Sequence, residues 1–281
     1  MELWVILVLA VVQGVTEFLP ISSSGHVVLG GALLSGGNVD DLDIADVNIV
    51  LHAGTLGAIV IVYFKKIKEI VWNKPKNLYW VVVGSVPAAI VGIGLKVSGY
   101  DSILEKPILA ALMLIVTGIV LLSVRKYSFE TREESLQTKE ADRPKGGTPH
   151  LSYQELGLKG ALTIGFFQAF AILPGISRSG ITIVAGLRQK LAPSEAATYS
   201  FLLAIVAIGG ASLLEIREIA TEASLTTPIS SLAIGALVSL VVGYFSLLLL
   251  LRFLEGGKLW IFVFWCLPVG GISLVWQLLL M

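Results

Sequence analysis

Gln13-Gly-Val-Thr-Glu17-Phe-Leu-Pro20-Ile-Ser22-Ser23-Ser24-Gly25-His26 breaks into an apolar stretch near the start of the chain. Gln168-Ala-Phe-Ala-Ile172-Leu-Pro174-Gly-Ile-Ser177-Arg178-Ser179-Gly180-Ile-Thr182 breaks into another beyond its middle. Shifted by 155 positions, Gln13 meets Gln168, Ser22 meets Ser177, Ser24 meets Ser179 and Gly25 meets Gly180. Polar, proline-broken backbone inside hydrocarbon is costly and survives where it is buried in protein or lines a wet cavity. A duplicated break of this kind predicts one shared site for a polar ligand.

The surrounding chain is membrane-like. Hydrophobic residues make up 55% of it and charged residues 14%, with a mean hydropathy of +0.85. Soluble domains carry about 25% charged residues, so soluble classes are excluded in favour of a polytopic membrane protein. Met1-Glu2-Leu3 lacks the basic start of a signal peptide, so the first apolar stretch is expected to be retained. The single Cys266 lies in an apolar run, where a small packing role is expected, and His26, His52 and His150 are too scattered for a histidine-rich metal site. No feature of the chain predicts a nucleic-acid partner.

Ten apolar segments can be read, at roughly 3–19, 26–34, 47–64, 78–95, 107–124, 157–173, 180–191, 196–214, 229–251 and 259–280. A crossing helix takes about 20 residues. Segments 26–34 and 180–191 are too short, and each follows a longer apolar run after a Pro/Ser/Gly break. They read as the returning arms of two re-entrant helical hairpins. The expected fold is therefore an all-α polytopic membrane protein with six transmembrane helices plus two re-entrant hairpins. Each half then reads hairpin, span, span, span, and three crossings make the second half an inverted-topology repeat of the first. The first repeat is read over 1–127 with its hairpin at 3–34, a linker over 128–150, and the second repeat over 151–281 with its hairpin at 157–191.

The charges fit this arrangement. Sixteen of the twenty Lys and Arg residues fall on one side, in 65–76, 125–159, 188–190 and 252–258. Lys96, Lys106 and Arg217 fall on the other, and Arg178 lies within the second motif. Positive charge marks the cytoplasmic side, which predicts a multi-pass plasma-membrane protein with both termini outside. The acidic stretch 35–46 is then outside, and the polar linker 128–150 is a cytoplasmic, mobile connection.

The motifs point to chemistry on an anion. Gln13 and Glu17, four apart, share a helix face. An intramembrane carboxylate is a functional-site candidate, here as a ligand for a hard divalent cation such as Mg²⁺ or Ca²⁺ or as an acid/base group, unless it merely bonds a backbone donor at the break. Pro20 ends the first half-helix, and Ser22, Ser23, Ser24 and Gly25 open the next, whose free N–H groups suit an anion. Pro174, Ser177, Ser179, Gly180 and Thr182 repeat the pattern, and Arg178 adds a cation able to grip phosphate or to pair with Glu17. His26 can be nucleophile, base or proton donor, or an interhelical hydrogen-bonder, and Ser23 is the other nucleophile candidate. His52, Thr55 and Gln168 can also face the cavity, while Gly54, Gly57, Gly92 and Gly94 are expected to permit close helix packing.

The first motif, from Gln13 to His26, and the second, Pro174 to Thr182, resemble those of the undecaprenyl-pyrophosphate phosphatase family of the bacitracin-resistance type. The resemblance covers nearly the whole chain. It implies an integral membrane enzyme that removes the terminal phosphate of a C55 polyprenyl diphosphate and returns the monophosphate carrier to cell-wall synthesis. It implies that Glu17 binds the divalent metal with the diphosphate, that Ser23 and His26 serve the chemistry, and that Arg178, Ser177 and Thr182 hold phosphate. One departure is Gln13, where many members have Glu; an amide can ligate metal but cannot act as a base. The attacking group stays open between Ser23 assisted by His26, His26 itself, and a metal-activated water. Inverted repeats with broken helices also suit a transporter or flippase of a polyprenyl phosphate. The expected partners are the polyprenyl diphosphate and the bilayer, and the glycine-rich spans permit a homodimer.

Overall fold

A computed structural model describes residues 2–34, 45–73, 75–99, 104, 106–125, 150–222 and 227–280. In chain order its helices are α1 (Leu3–Phe18), α2 (Ser23–Leu34), α3 (Ala45–Val62), α4 (Phe64–Lys68), α5 (Lys76–Ser98), α6 (Pro107–Leu122), α7 (Gly157–Phe170), α8 (Arg178–Arg188), α9 (Pro193–Glu222), α10 (Ile229–Glu255) and α11 (Val263–Leu279). A π-helical turn, Glu69–Asn73, follows α4, and a short 3₁₀ turn, Leu259–Phe262, leads into α11. Among the described residues, extended pairing is limited to one bridge between Leu151 and Leu191. The acidic stretch read over 35–46 and the linker read over 128–150 lie outside the described residues, but for the helical start at 45–46 and His150.

Four helical stretches are long and apolar enough to cross a membrane: Asn77–Ser98, Pro193–Leu213, Ile229–Glu255 and Leu259–Leu279. A fifth would be α3 together with α4 and its π turn, bent by 75° at the break around Tyr63. With apolar α1 and α6 beside them, the chain is an all-helical, multi-pass membrane protein. All six stretches expected as spans carry a helix, although α6, at 16 residues, is shorter than the ~20 of a perpendicular crossing. The two short arms behave as their length requires. At 12 and 11 residues, α2 and α8 reach only about 18 Å and 16 Å at 1.5 Å per residue. That is well short of a hydrocarbon layer ~30 Å thick.

Contacts cross between the two halves of the chain. Helix α1 packs on α10, and α7 on α5; α3 packs on α10, and α9 on α5; α3 meets α9, and α6 meets α11. Lipid gives no hydrophobic drive to helix association, so close approach through small residues has to supply the contact. The glycines show it. A Cβ added at Gly165 of α7 would lie 2.1 Å from the Gly84 carbonyl oxygen of α5. One added at Gly54 of α3 would lie 2.4 Å from the Ala236 carbonyl oxygen of α10, and one at Gly57 would lie 3.0 Å from Leu240. Gly92 and Gly94, expected to act likewise, do not: Gly92 has only an ordinary 3.8 Å neighbour, and a Cβ at Gly94 would meet no atom within 4 Å. Position along a helix decides this, and composition does not reveal it.

The core continues under the motifs. Phe18, fully buried at the end of α1, sits 5.8 Å from the Phe201 ring of α9, and Phe201 is 5.8 Å from Tyr63 at the α3 bend. Gly243 of α10 makes room for Phe18, whose ring a Cβ there would approach to 2.7 Å. The end of α1 is thus anchored from two helices, α9 and α10, with Tyr63 packed behind Phe201.

Gly165→Ala should be poorly tolerated, costing about 1–3 kcal/mol as overpacking in a tight core does, whereas Gly94→Ala should be neutral or slightly stabilising. Thermal unfolding of the two variants in one detergent checks this; equal midpoints would refute the close α5–α7 contact.

Candidate active site

The site is made where the two helix breaks meet. After α1 the chain turns through Pro20 and Ile21 and reaches Ser22 with φ of +69°, a left-handed conformation that bends the backbone into α2. In the second break the same task falls to Gly175, at φ of +94°. Glycine adopts that region without strain and serine does not. Beyond each turn the capping is the same. Ser22 Oγ accepts from the Gly25 amide at 3.2 Å, and Ser177 Oγ from the Gly180 amide at 3.2 Å. Ser22 and Ser24 hydroxyls lie 3.4 Å apart, and Ser177 and Ser179 hydroxyls 3.2 Å. These are N-cap bonds, which satisfy one of the free amides of a helix start.

The breaks touch each other. A Cβ at Gly25 would lie 2.8 Å from the Gly175 Cα, and one at Gly180 would lie 3.1 Å from the Pro20 side chain. Side chains from neighbouring helices satisfy the exposed backbone. Thr117 of α6 donates to the Gly175 carbonyl at 2.8 Å and accepts from the Ser177 amide at 3.0 Å. The buried Cys266 thiol of α11 reaches the Pro20 carbonyl at 3.5 Å, so it packs and donates rather than pairing in a disulfide.

Glu17 is the centre of the site. Its Oε1 receives the Arg178 guanidinium at 2.5 Å. Its Oε2 accepts from Gln13 Nε2 at 3.0 Å and from Ser23 Oγ at 2.7 Å. His52 of α3 turns Nε2 to within 3.7 Å of the same oxygen, while its Nδ1 sits 2.8 Å from the Asn48 carbonyl, to which it must donate. The other guanidinium nitrogen, Arg178 Nη1, is buried without a hydrogen-bond partner among the described residues, as is Gln13 Oε1. Arg178 therefore holds the carboxylate with one arm and has the other unpaired among the described residues.

These groups face a cavity of about 250 Å³. Thr16, Glu17, Ser22, Ser23 and Ser24 form one wall, Ser177 and Arg178 another, and Asn48, His52, Gln168 and Ser212 close it together with an aliphatic strip that includes Ile172, Ala207 and Ala211. The starts of α2 and α8 both abut it, so the amides of their first turns and their positive dipole ends converge on the same space. A compact anion bearing an apolar tail matches this lining.

The other sequence candidates sit outside the lining. Gln13 acts through Glu17. Gly25 and Gly180 serve the contact between the breaks, and Ser179 bonds Ser177. Thr182 donates to the Arg178 carbonyl at 2.7 Å and meets Ser200 of α9 at 2.6 Å, tying α8 to α9. His26 has both ring nitrogens occupied: Trp265 Nε1 donates to Nε2 at 2.9 Å, so Nδ1 carries the proton and donates to the Ser22 carbonyl at 2.7 Å. Asn48, Thr16 and Ser212 were not singled out from sequence. Asn48 had a readable signal, since it lies four residues before His52 on an apolar helix, where paired polar residues are functional candidates.

Fold and site together define a multi-pass membrane protein with a polar, charge-paired cavity at two joined helix breaks. The family model described as bacitracin resistance protein BacA matches residues 6–272, and the chain belongs to that family. It is 41% identical over 270 residues to an undecaprenyl-diphosphatase of Rhodopirellula baltica, covering 96% of each chain. It is 35% identical to one of Halothermothrix orenii and 33% to one of Methanosphaera stadtmanae, covering 98% of each chain in both cases.

Breaking the ion pair from one side strands a buried charge, which costs about 3–5 kcal/mol. Arg178→Met should therefore lower the unfolding midpoint strongly, and Glu17→Gln in the same chain should restore most of it. A double variant no more stable than Arg178→Met would show that the pair is not what holds the breaks together.

Proposed function

We propose that this chain is an integral membrane phosphatase that hydrolyses undecaprenyl diphosphate to the monophosphate and inorganic phosphate, so that the lipid carrier re-enters glycan synthesis. The observation that carries the proposal is the 2.7 Å hydrogen bond from Ser23 Oγ to Glu17 Oε2 at the cavity wall, beside a guanidinium with one free arm. A hydroxyl is a weak nucleophile until a base takes its proton, and 2.6–3.2 Å is the reach such a base needs. The names of the relatives agree with this reading.

The residues divide the work as follows. Ser23 Oγ attacks the terminal phosphorus in line while Glu17 takes its proton. The Oγ–P bond forms as the bridging P–O bond breaks, and the polyprenyl monophosphate leaves with that electron pair. Water then attacks the phosphoserine, releasing inorganic phosphate and restoring the Ser23 hydroxyl. Arg178 Nη1 and the first-turn amides of α2 and α8 stabilise the charge spread over the transferred oxygens. His26, engaged at both nitrogens, holds the Ser22 carbonyl and hence the serine turn. Ser22 and Ser177 cap the two half-helices, and the aliphatic strip of Ile172, Ala207 and Ala211 receives the first isoprene unit.

A divalent cation, Mg²⁺ or Ca²⁺, fits the donor set in a limited way. Glu17 and the unpartnered Gln13 Oε1 are hard oxygen donors, and no group of three His, Cys, Asp or Glu gathers among the described residues. Glu17, on the cavity wall, would hold the ion, and Gln13 would act on it through Glu17. Such an ion supplies charge neutralisation on the phosphates.

We read the halves as inverted repeats, 1–127 and 151–281. Identical capping 155 residues apart, the crossed packing of α1 on α10 and α7 on α5, and side chains of α6 and α11 reaching the carbonyls of residues 175 and 20 support this. The positive residues support a cytoplasmic 65–76 and 252–258 with both termini outside.

Purified protein in detergent, given polyprenyl diphosphate, should release phosphate in Mg²⁺ or Ca²⁺ and stop with a chelator. Ser23→Ala and Glu17→Gln should each lower kcat by at least a hundredfold. Quenching in denaturant at neutral pH should trap an acid-stable phosphoserine at Ser23; an acid-labile phosphohistidine at His26 would overturn the assignment. Absence of release under any metal would sink the hydrolase reading and favour transport of a lipid phosphate.

A further inference from the structure

The two glutamines brought into register by the 155-residue shift have different fates. Gln13 donates from Nε2 to Glu17, four residues on along α1. Four residues after Gln168 stands Ile172, which offers no acceptor. Gln168 is only 3% exposed, lines the cavity, and finds no hydrogen-bond partner for either Nε2 or Oε1 among the described residues. A buried amide with both polar atoms unmet is costly, and native proteins rarely keep one unless a ligand, an ion or an ordered water meets it. Arg178 Nη1, on the same cavity, is unmet as well. Both residues line the cavity that Glu17 and Ser23 also line, and each keeps a buried N–H donor there without an internal partner among the described residues.

We propose that Gln168 is a substrate-binding residue, which donates its Nε2–H to a diphosphate oxygen alongside Arg178 Nη1. Duplication has put the same amide at both helix breaks: the first positions the carboxylate, and the second, with Ile172 in place of a carboxylate, reads the ligand. Oε1 is left for a hydroxyl or water beside the bound phosphates. The inference rests on the diphosphate reading of this cavity, but it concerns binding and not bond cleavage.

Gln168→Met keeps the length of the side chain and removes both polar atoms. The intact protein and this variant are compared in detergent with Mg²⁺ by thermal unfolding without ligand and by the Kd for inorganic pyrophosphate. The expected result is an unfolding Tm unchanged or raised in Gln168→Met, because no internal hydrogen bond is lost, with Kd raised about tenfold. Gln168→Glu, which adds a charge facing the phosphates, should bind more weakly still. The inference is overturned if Gln168→Met binds pyrophosphate as tightly as the parent, if the parent does not bind pyrophosphate, or if Tm falls by several degrees while Kd holds. A parent protein that binds pyrophosphate through Gln168 yet releases no phosphate from polyprenyl diphosphate would sink the hydrolase reading and leave this one standing.

Discussion

The ion pair between Glu17 and Arg178 spans 161 residues of chain and lies where two helices are broken inside a protein built for hydrocarbon. Each break leaves backbone donors and acceptors that lipid cannot satisfy. Caps from Ser22 and Ser177, together with Thr117 and Cys266 from α6 and α11, meet some of them. The two breaks are joined directly by the bond from Ser22 Oγ to the Ile176 carbonyl at 3.4 Å and by the carboxylate and guanidinium, neither of which can be left buried without the other except at a cost of about 3–5 kcal/mol. The starts of α2 and α8 then lie together at the cavity, each with first-turn amides beyond the one that its serine cap satisfies.

The same arrangement explains why one carboxylate can do several things. Gln13, Ser23, Arg178 and His52 all approach Glu17, so its two oxygens are fixed in direction before any substrate arrives. Preorganisation of this kind is what electrostatic catalysis draws on, since the groups do not have to reorganise as charge develops. Gln13 contributes as an amide where a second acid would add another buried negative charge. With one carboxylate against one guanidinium, the empty site is near charge balance, which a membrane interior favours. His26 lies just behind this shell, and its bonds to Ser22 and Trp265 link the serine turn to α11.

Much of this could be read from the chain. Local hydropathy and proline placement marked the two helix breaks and the apolar helices, because lipid exposure and the lost proline N–H act through neighbouring residues. Spacing along a helix paired Gln13 with Glu17, and the serine and glycine runs after Pro20 and Pro174 marked both new helix starts. The reading also named Arg178 as a partner for Glu17. It did not separate Gly54 from Gly94, did not find Asn48 or Ser212, and left Ser23 and His26 equal. Those distinctions depend on which face of a helix meets another helix distant in sequence.

Sequence by itself determined the class of protein, the family, the positions of the breaks and the residue types that can meet a phosphate. These are set by burial in lipid and by interactions within about one helical turn. Tertiary structure alone decided which of those residues converge. It directed Ser23 rather than His26 toward Glu17, turned His26 onto Trp265, and left the Gln168 amide buried beside the cavity without a partner among the described residues, because Ile172 stands where its twin has a carboxylate. Each outcome depends on the angle at which one broken helix meets the other, and a local pattern of residues does not encode that angle.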